Sequence, residues 1–182
     1  KMTTGWEISE RLKKRGKNVQ FVGTGQTGIM LGGYGVPVDA VVGDFMAGEI
    51  EYAIDKISDQ ADLVVVEGQG SLTNMYYAGV TLGLMHGAMP DYMIMTDEPE
   101  RTIDVSNNQM ASIGDVMELH LSLMKYFKQS QFLGINLLTY KMDEDLALKE
   151  IKRIGKKYQL PTTDLVRFGN DKLIEHIEQE LF

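Results

Sequence analysis

A short apolar run that ends in a carboxylate, Asp62-Leu63-Val64-Val65-Val66-Glu67, constrains the fold of this chain more than any other feature. Consecutive β-branched residues without polar alternation predict a strand buried on both faces, which is typical of a parallel sheet. Ligands of such sheets bind beyond the carboxyl ends of the strands, where Glu67 and Gly68-Gln69-Gly70-Ser71 lie. A solvated strand end followed by a glycine turn is the alternative interpretation.

The rest of the chain alternates strand and helix patterns, which predicts βαβ units with right-handed crossovers. We expect an α/β fold, a three-layer sandwich with a mostly parallel sheet. The predicted strands lie at 18–23, 62–67, 92–95, 131–138 and 162–166, with a possible strand at 38–42. The predicted helices lie at 3–15, 46–59, 79–86, 109–127, 143–158 and 171–181. The longest irregular loop is expected at 97–108.

Length and composition exclude several classes of protein. The chain has 182 residues, which is the size of a single domain, and we predict one domain over 1–182. The formal charge of −8 argues against general nucleic-acid binding, because phosphate contacts need clustered Lys and Arg. No apolar run approaches the length of a membrane span. The absence of Cys excludes a thiolate metal site and fits a cytoplasmic location.

The first residues, Lys1-Met2-Thr3-Thr4, begin an amphipathic helix and are interpreted as the end of a G-x-x-x-x-G-K-[ST] phosphate-binding loop, whose glycines are not in the chain. Lys1 would contact phosphate oxygens, with Thr3 or Thr4 at the helix N-terminus. An ordinary N-terminal helix with Thr caps is the alternative. With the phosphate-loop interpretation, we expect the chain to be a fragment that lacks the start of this loop.

Two further loops contain candidate residues. Thr24, Gln26 and Thr27 follow a predicted strand, and their hydroxyl and amide groups suit a small polar ligand or a simple capped turn. The glycine-rich segment 32–37 is expected to be flexible and to act as a lid. Asp44 follows the predicted strand at 38–42, so it is either a second strand-end carboxylate or a helix cap.

Residues Gly23 to Gly28 fit the pattern G-x-G-x-x-G, which is found in dinucleotide-binding proteins. We discount this match because a Gly- and Pro-rich loop, rather than a helix, is expected after it. An NAD-dependent oxidoreductase is therefore disfavoured.

Three further titratable residues, His86, His120 and Arg101, have either a site role or a structural role. His86 abuts Gly87 near the end of a predicted helix, where it is a candidate site residue or a cation that complements the helix dipole. His120 lies on an apolar helix face and is interpreted as structural. Arg101 lies among acids, and its planar fork could bind a carboxylate or neutralise its neighbours. The histidines lack the spacing of a zinc site.

Seven motifs together resemble the C-terminal P-loop domain of the DUF1611 family. In chain order they are Lys1-Met2-Thr3-Thr4, Thr24-Gly25-Gln26-Thr27-Gly28, Val36-Pro37-Val38-Asp39, Val66-Glu67-Gly68-Gln69-Gly70-Ser71, Gly79-Val80-Thr81-Leu82-Gly83-Leu84-Met85-His86-Gly87, Glu98-Pro99-Glu100-Arg101-Thr102 and Leu160-Pro161-Thr162-Thr163-Asp164-Leu165-Val166-Arg167-Phe168-Gly169. Members of that family include D-glutamate N-acetyltransferases. The family is also similar to dethiobiotin synthetase-like P-loop proteins, in which the acid that corresponds to Glu67 binds a metal.

The resemblance implies a P-loop NTPase-like domain preceded by a Rossmann-like N-terminal domain. Met2 stands where Ser or Thr would hold Mg²⁺, which puts ATP hydrolysis in doubt and fits a loop that binds coenzyme A. The resemblance therefore implies N-acetyl transfer from acetyl-CoA, held by Lys1, Thr3 and Thr4, to a small amino acid, D-glutamate.

The expected substrate-binding residues are Thr24, Gln26, Thr27, Gln69, Ser71 and Arg101. A base must take a proton from the amine, and the candidates are Asp44, Glu67 and His86. We expect a homo-oligomer that binds a small molecule and binds neither nucleic acid nor membrane. Two alternatives remain open: an ATP- and Mg²⁺-dependent carboxylate-activating ligase with Glu67 as metal ligand, and a non-catalytic nucleotide- or CoA-binding module.

Overall fold

The computed structural model describes residues 1–182, which form two compact units, Lys1–Pro90 and Asp91–Phe182. Every strand of both units pairs in parallel with its neighbour, and helices connect the strands. The α/β class and the parallel pairing predicted from the sequence are confirmed.

The first unit contains two strands, whose carboxyl ends lie side by side. Its elements are α1 (Met2–Lys14), β1 (Val19–Val22), α2 (Gln26–Gly32), α3 (Met46–Ser58), β2 (Leu63–Val66) and α4 (Ala78–Ala88). The register pairs Val19 with Leu63 and Val22 with Val66, so the loops after β1 and β2 begin at neighbouring positions. A buried cluster of Val38, Met46, Ile50 and Leu84 packs α3 and α4 together.

The second unit has the strand order β3-β4-β5. Its elements are β3 (Tyr92–Asp97), α5 (Ile113–Met124), β4 (Gln131–Leu137), α6 (Glu144–Tyr158), β5 (Thr162–Thr163) and α7 (Lys172–Leu181). Helix α5 begins at Ser112 because a capping box with Asp115 satisfies N–H groups of its first turn. The predicted structural role of His120 agrees with its surroundings: it is half-buried, and Nδ1 contacts the Val116 carbonyl oxygen at 2.7 Å.

The strand predicted at 38–42 is wrong. Two single-turn 3₁₀ helices, Val38–Ala40 and Gly43–Phe45, occupy this region instead. The Val38 side chain is buried in the core, and its N–H donates to the Thr24 carbonyl at 3.0 Å, so this apolar residue packs without a strand partner. Val42, by contrast, is exposed, so the apolar pattern here reflects neither strand pairing nor burial of the whole run.

Two other regions are more regular than expected. Helix α2 forms over residues expected to be a loop, and it ends at Gly33 with φ +72. The predicted irregular stretch 97–108 contains a turn closed by an antiparallel bridge between Ile103 and Gln109. Asp104 stabilises that turn, because its Oδ1 accepts the N–H groups of Ser106 and Asn108. No helix of the chain combines the length and the apolar character needed to cross a bilayer.

Candidate functional site

Glu67 joins the carboxyl ends of β1 and β2. Its side chain is almost fully buried, and Oε2 accepts the N–H groups of Thr24 at 2.8 Å and Gly25 at 3.1 Å. In return, the Thr24 hydroxyl donates to the Glu67 carbonyl oxygen at 2.9 Å. Hydrogen bonds to an ionised acceptor are among the stronger ones in proteins, so this carboxylate fixes the segment that follows β1.

The three glycines of the segment after β1 let it close around Glu67. A Cβ on Gly28 would overlap Glu67 Oε2, and one on Gly23 would overlap the backbone at Gly28 and Ile29. A Cβ on Gly25 would lie 2.7 Å from Gln69 Nε2, which is closer than real Cβ atoms approach. The backbone of the segment itself therefore leaves no room for a Cβ at Gly23, whereas a Cβ at Gly25 or Gly28 would displace a side chain of the loop after β2.

The segment after β1 carries the G-x-G-x-x-G pattern of residues Gly23 to Gly28. A helix, α2, does follow the pattern, so the reason given for discounting it is wrong. The N–H groups of Thr24 and Gly25 are nevertheless bonded to Glu67, so they are not directed at a ligand. In this protein, N–H groups of the pattern donate to the buried carboxylate of Glu67.

Lys1 lies beside the loop that carries Glu67. Its Nζ donates to the Gly70 carbonyl oxygen at 2.8 Å, and its Cδ lies 3.6 Å from the position of a Cβ on Gly68. Helix α1 follows Lys1, and its first turn contains no acidic residue and receives no side-chain cap. A cation and a helix N-terminus thus adjoin the strand-end carboxylate, an arrangement that favours anions at the helix.

The loop after β2 is held in shape from within. Gly70 has φ +53, and a Cβ there would approach Tyr77 and Thr81 too closely. The Thr81 hydroxyl contacts the carbonyl oxygens of Gln69 at 2.9 Å and Tyr77 at 3.0 Å. Ser71 Oγ lies 3.0 Å from the Thr73 hydroxyl. Gln69 and Ser71 therefore lie on a tightly closed loop beside Lys1.

The other predicted residues of the first unit differ in exposure. Gln26 and Thr27 are exposed in the first turn of α2, whereas Thr24 is fully buried. Thr3 is exposed and Thr4 is buried in the first turn of α1. These positions put Thr3, Gln26 and Thr27 within reach of a ligand in solution, whereas the Thr24 hydroxyl is bonded inside the protein.

Asp44 and His86, the other two proposed bases, take no part in the hydrogen bonds that Glu67 forms. The premise that Asp44 ends a strand is wrong, because it lies exposed in the 3₁₀ helix Gly43–Phe45. His86 is half-buried in the last turn of α4, where its charge would complement the helix dipole.

The segment 32–37 is tied to the strand end. The Gly23 N–H donates to the Tyr34 carbonyl at 3.0 Å, and the Val36 N–H donates to the Gly23 carbonyl at 2.9 Å. The Tyr34 hydroxyl donates to the Ala53 carbonyl at 2.8 Å. These bonds contradict the expectation of a flexible lid, since the segment extends the β1 end as a parallel bridge between Gly23 and Gly35.

Arg101 lies in the second unit, where it is exposed and lines a polar cavity of about 210 Å³. Asp97, the last residue of β3, lines the same cavity. Burial raises the pKa of Asp97, and the charges of Glu98 and Glu150 raise it further. Asp97 is not among the site residues predicted from the sequence, although it is a strand-end acid like Glu67 and the same pattern identifies it.

Glu67 could also act as a ligand to Mg²⁺, since a single carboxylate with phosphate oxygens and water can hold this ion. No group of three or more His, Cys, Asp and Glu side chains is arranged to bind a metal ion. The metal role of Glu67 therefore stays a prediction.

A family model described as the DUF1611 C-terminal P-loop domain, a domain of unknown function, matches residues 1–174. The chain belongs to the DUF1611 family. The predicted recognition is confirmed, and the P-loop description of the model agrees with the fold class of this DUF1611 domain.

Solved and curated relatives resemble this DUF1611 domain over nearly its whole length. A crystal structure of a DUF1611 family protein from Anabaena variabilis ATCC 29413 superposes with a TM-score of 0.91 at 33% identity, covering 98% of this chain and 53% of that one. A D-glutamate N-acetyltransferase of Tritonibacter scottomollicae is 37% identical over 179 residues, which are 96% of this chain and 53% of the relative. Another D-glutamate N-acetyltransferase, from a Pseudoalteromonas species, is 29% identical over 97% of this chain and 54% of its own length. The chain thus spans about half the length of the curated relatives it matches.

Proposed function

We propose that this chain is the P-loop domain of an N-acetyltransferase that transfers the acetyl group of acetyl-CoA to the amine of a small amino acid, D-glutamate. The observation that carries the proposal is the 37% identity, over 96% of the chain, to a protein named D-glutamate N-acetyltransferase. The proposal includes a Rossmann-like N-terminal domain beside this one, which the family resemblance implies. A homo-oligomer in the cytoplasm is part of the same proposal.

The residues at the start of α1 fit the diphosphate of coenzyme A. Lys1 provides a cation, and the first turn of α1 has no acidic side chain to repel phosphate. Thr3 adds an exposed hydroxyl, and Thr4 lies one residue further along the same turn. We assign Lys1, Thr3 and Thr4 to the phosphates, because a helix N-terminus with a nearby cation is an anion-binding arrangement. When bound, the thioester would supply an activated acetyl group.

The acceptor requires groups that orient an amino acid and a base that takes a proton from its amine. The proposed acceptor-binding residues are Thr24, Gln26, Thr27, Gln69, Ser71 and Arg101. Glu67 is the favoured base of the first unit because it lies beside the Lys1 loop, with Asp44 and His86 as alternatives. Thr24 contributes by holding Glu67 in place, since both its N–H and its hydroxyl donate to Glu67.

A second candidate function uses the same arrangement. Glu67 next to a phosphate-binding Lys1 would also suit an ATP- and Mg²⁺-dependent ligase, in which the carboxylate binds the metal. The two functions differ in their requirement for ATP.

The Lys1 assignment predicts a specific kinetic defect. In the full-length protein, including any residues encoded before Lys1, we expect Lys1→Gln to raise the KM for acetyl-CoA about tenfold or more. A charge-assisted contact worth about 1.5–3 kcal/mol is lost in this variant. The measurement is free-thiol release at varied acetyl-CoA. Lys14→Gln, at the other end of α1, is the matched control and should leave this KM unchanged. Equal KM values for the Lys1 and Lys14 variants would refute the assignment.

A further inference from the structure

The polar cavity of the second unit lies at the carboxyl end of β3. Its walls come from the segment after β3, from residues just before α5 and from the last turns of α6. Carboxyl ends of parallel strands are the usual position of ligands in α/β proteins. Arg101 is the one site residue predicted from the sequence that lines this cavity.

Five charged residues line the cavity: Glu150 and Arg153 form a salt bridge with each other, whereas Asp97, Arg101 and Lys157 form none. Arg153 binds Glu150 through two hydrogen bonds, Nε to Oε2 at 2.7 Å and Nη2 to Oε1 at 2.6 Å, so these charges neutralise each other. Arg101 and Lys157 line the same cavity, and neither forms a salt bridge; the Lys157 ammonium lies 5.0 Å from the Tyr158 ring centroid. Two cations are therefore available to an anionic ligand.

Asp97 is the acid left without a counterion in this cavity. It is half-buried at the end of β3, and burial is the main cause that raises its pKa. Glu150 and Glu98 raise it further, although each binds its own cation, Glu150 to Arg153 and Glu98 to Lys141 at 2.6 Å. A hydrogen bond from the Glu98 backbone to Asp97 and the charge of Arg101 lower this pKa, although burial outweighs them. A ligand ammonium would offset the cost of keeping this carboxylate ionised.

We propose that this cavity binds an amino acid with two carboxylates, which contact Arg101 and Lys157 while its ammonium contacts Asp97. Two cations and one anion in the wall match two carboxylates and one ammonium in the ligand. Planar Arg binds carboxylates through paired hydrogen bonds, which gives the ligand a defined orientation. The inference rests on the proposed function for the identity of the ligand, and it assigns recognition of the ligand's charged groups to Asp97, Arg101 and Lys157 of the second unit.

The test is calorimetric binding of two ligands to the full-length protein: D-glutamate, and glutarate, which lacks the amine. Arg101→Gln should weaken binding of both ligands about tenfold or more, because both lose a charge-assisted contact. Lys157→Gln should also weaken both. Asp97→Asn should weaken D-glutamate about tenfold and leave glutarate unchanged or bound more tightly. Lys152 lies on the same helix as Lys157 but outside the cavity, so the Lys152→Gln protein is the matched control. It should bind both ligands as the unmodified protein does.

Two results would overturn the inference. One is the absence of D-glutamate binding by the unmodified protein. The other is unchanged D-glutamate binding in folded Arg101→Gln and Asp97→Asn proteins, with folding checked by circular dichroism.

Acetyl transfer, measured in parallel, separates this inference from the proposed function. If transfer occurs and its KM for D-glutamate is unaffected in both variants, the cavity assignment is wrong and the function stands. If binding depends on Arg101 and Asp97 but no acetyl group is transferred, the cavity assignment stands and the function is wrong.

Discussion

At the scale of single residues, Glu67 has two separable roles: it holds backbone N–H groups in place, and it is a proposed base or metal ligand. The sequence predicted a strand-end carboxylate at this position, and the structure confirms its place directly after β2. The hydrogen bonds to Thr24 and Gly25 could not be predicted, because they depend on the register of β1 against β2. A loss of activity in Glu67 variants must therefore be compared with their loss of stability.

We expect Glu67→Ala to lower the free energy of unfolding by about 2–6 kcal/mol, since each of two donors left without an acceptor costs about 1–3 kcal/mol. Glu67→Gln should lower it less, because both N–H groups donate to one oxygen, Oε2, and an amide oxygen in its place can still accept both, although without the charge. Urea titration followed by circular dichroism measures both. If Glu67→Ala proves as stable as the unmodified protein, these N–H groups find other partners and the joining role is wrong.

At the scale of elements, periodicity located most helices and strands, and it failed around α2 and at 38–42. Helix α2 is short, has Gly at three positions counting its C-cap, and exposes Met30. These features are typical of loop sequences. The valines at 38–42 resemble a strand in sequence because they are apolar, although Val38 and Val41 pack against the core without pairing and Val42 is exposed. Both errors lie beside the β1 end, where tertiary contacts override local preference.

The glycines of the segment after β1 provide a matched test at this scale. Gly28→Ala should destabilise the protein by about 1–3 kcal/mol, because the added methyl group overlaps the Glu67 carboxylate. Gly48→Ala, exposed in α3 with open space around its Cβ position, should stabilise it by about 0.4–1 kcal/mol. Thermal unfolding of the two variants gives the comparison. A Gly28→Ala protein as stable as Gly48→Ala would contradict the close packing described here.

At the scale of the whole chain, the fold class and the family could be predicted, because the order of the motifs and the alternation of strands and helices can be read directly from the sequence. The composition of the site was predicted less well. Lys1, Glu67, Gln69 and Ser71 do lie together in the first unit, as their motifs indicated. Arg101 belongs instead to the second unit and its own cavity. Which residues share a cavity depends on three-dimensional packing, and a linear pattern does not contain that information.

Free-thiol release by the full-length protein, incubated with acetyl-CoA and D- or L-glutamate without ATP, tests the central claim most directly. We predict thiol release that requires the amino acid and that ATP and Mg²⁺ do not increase. No thiol release with either isomer, together with phosphate release once ATP and Mg²⁺ are added, would contradict acetyl transfer and make Glu67 a metal ligand.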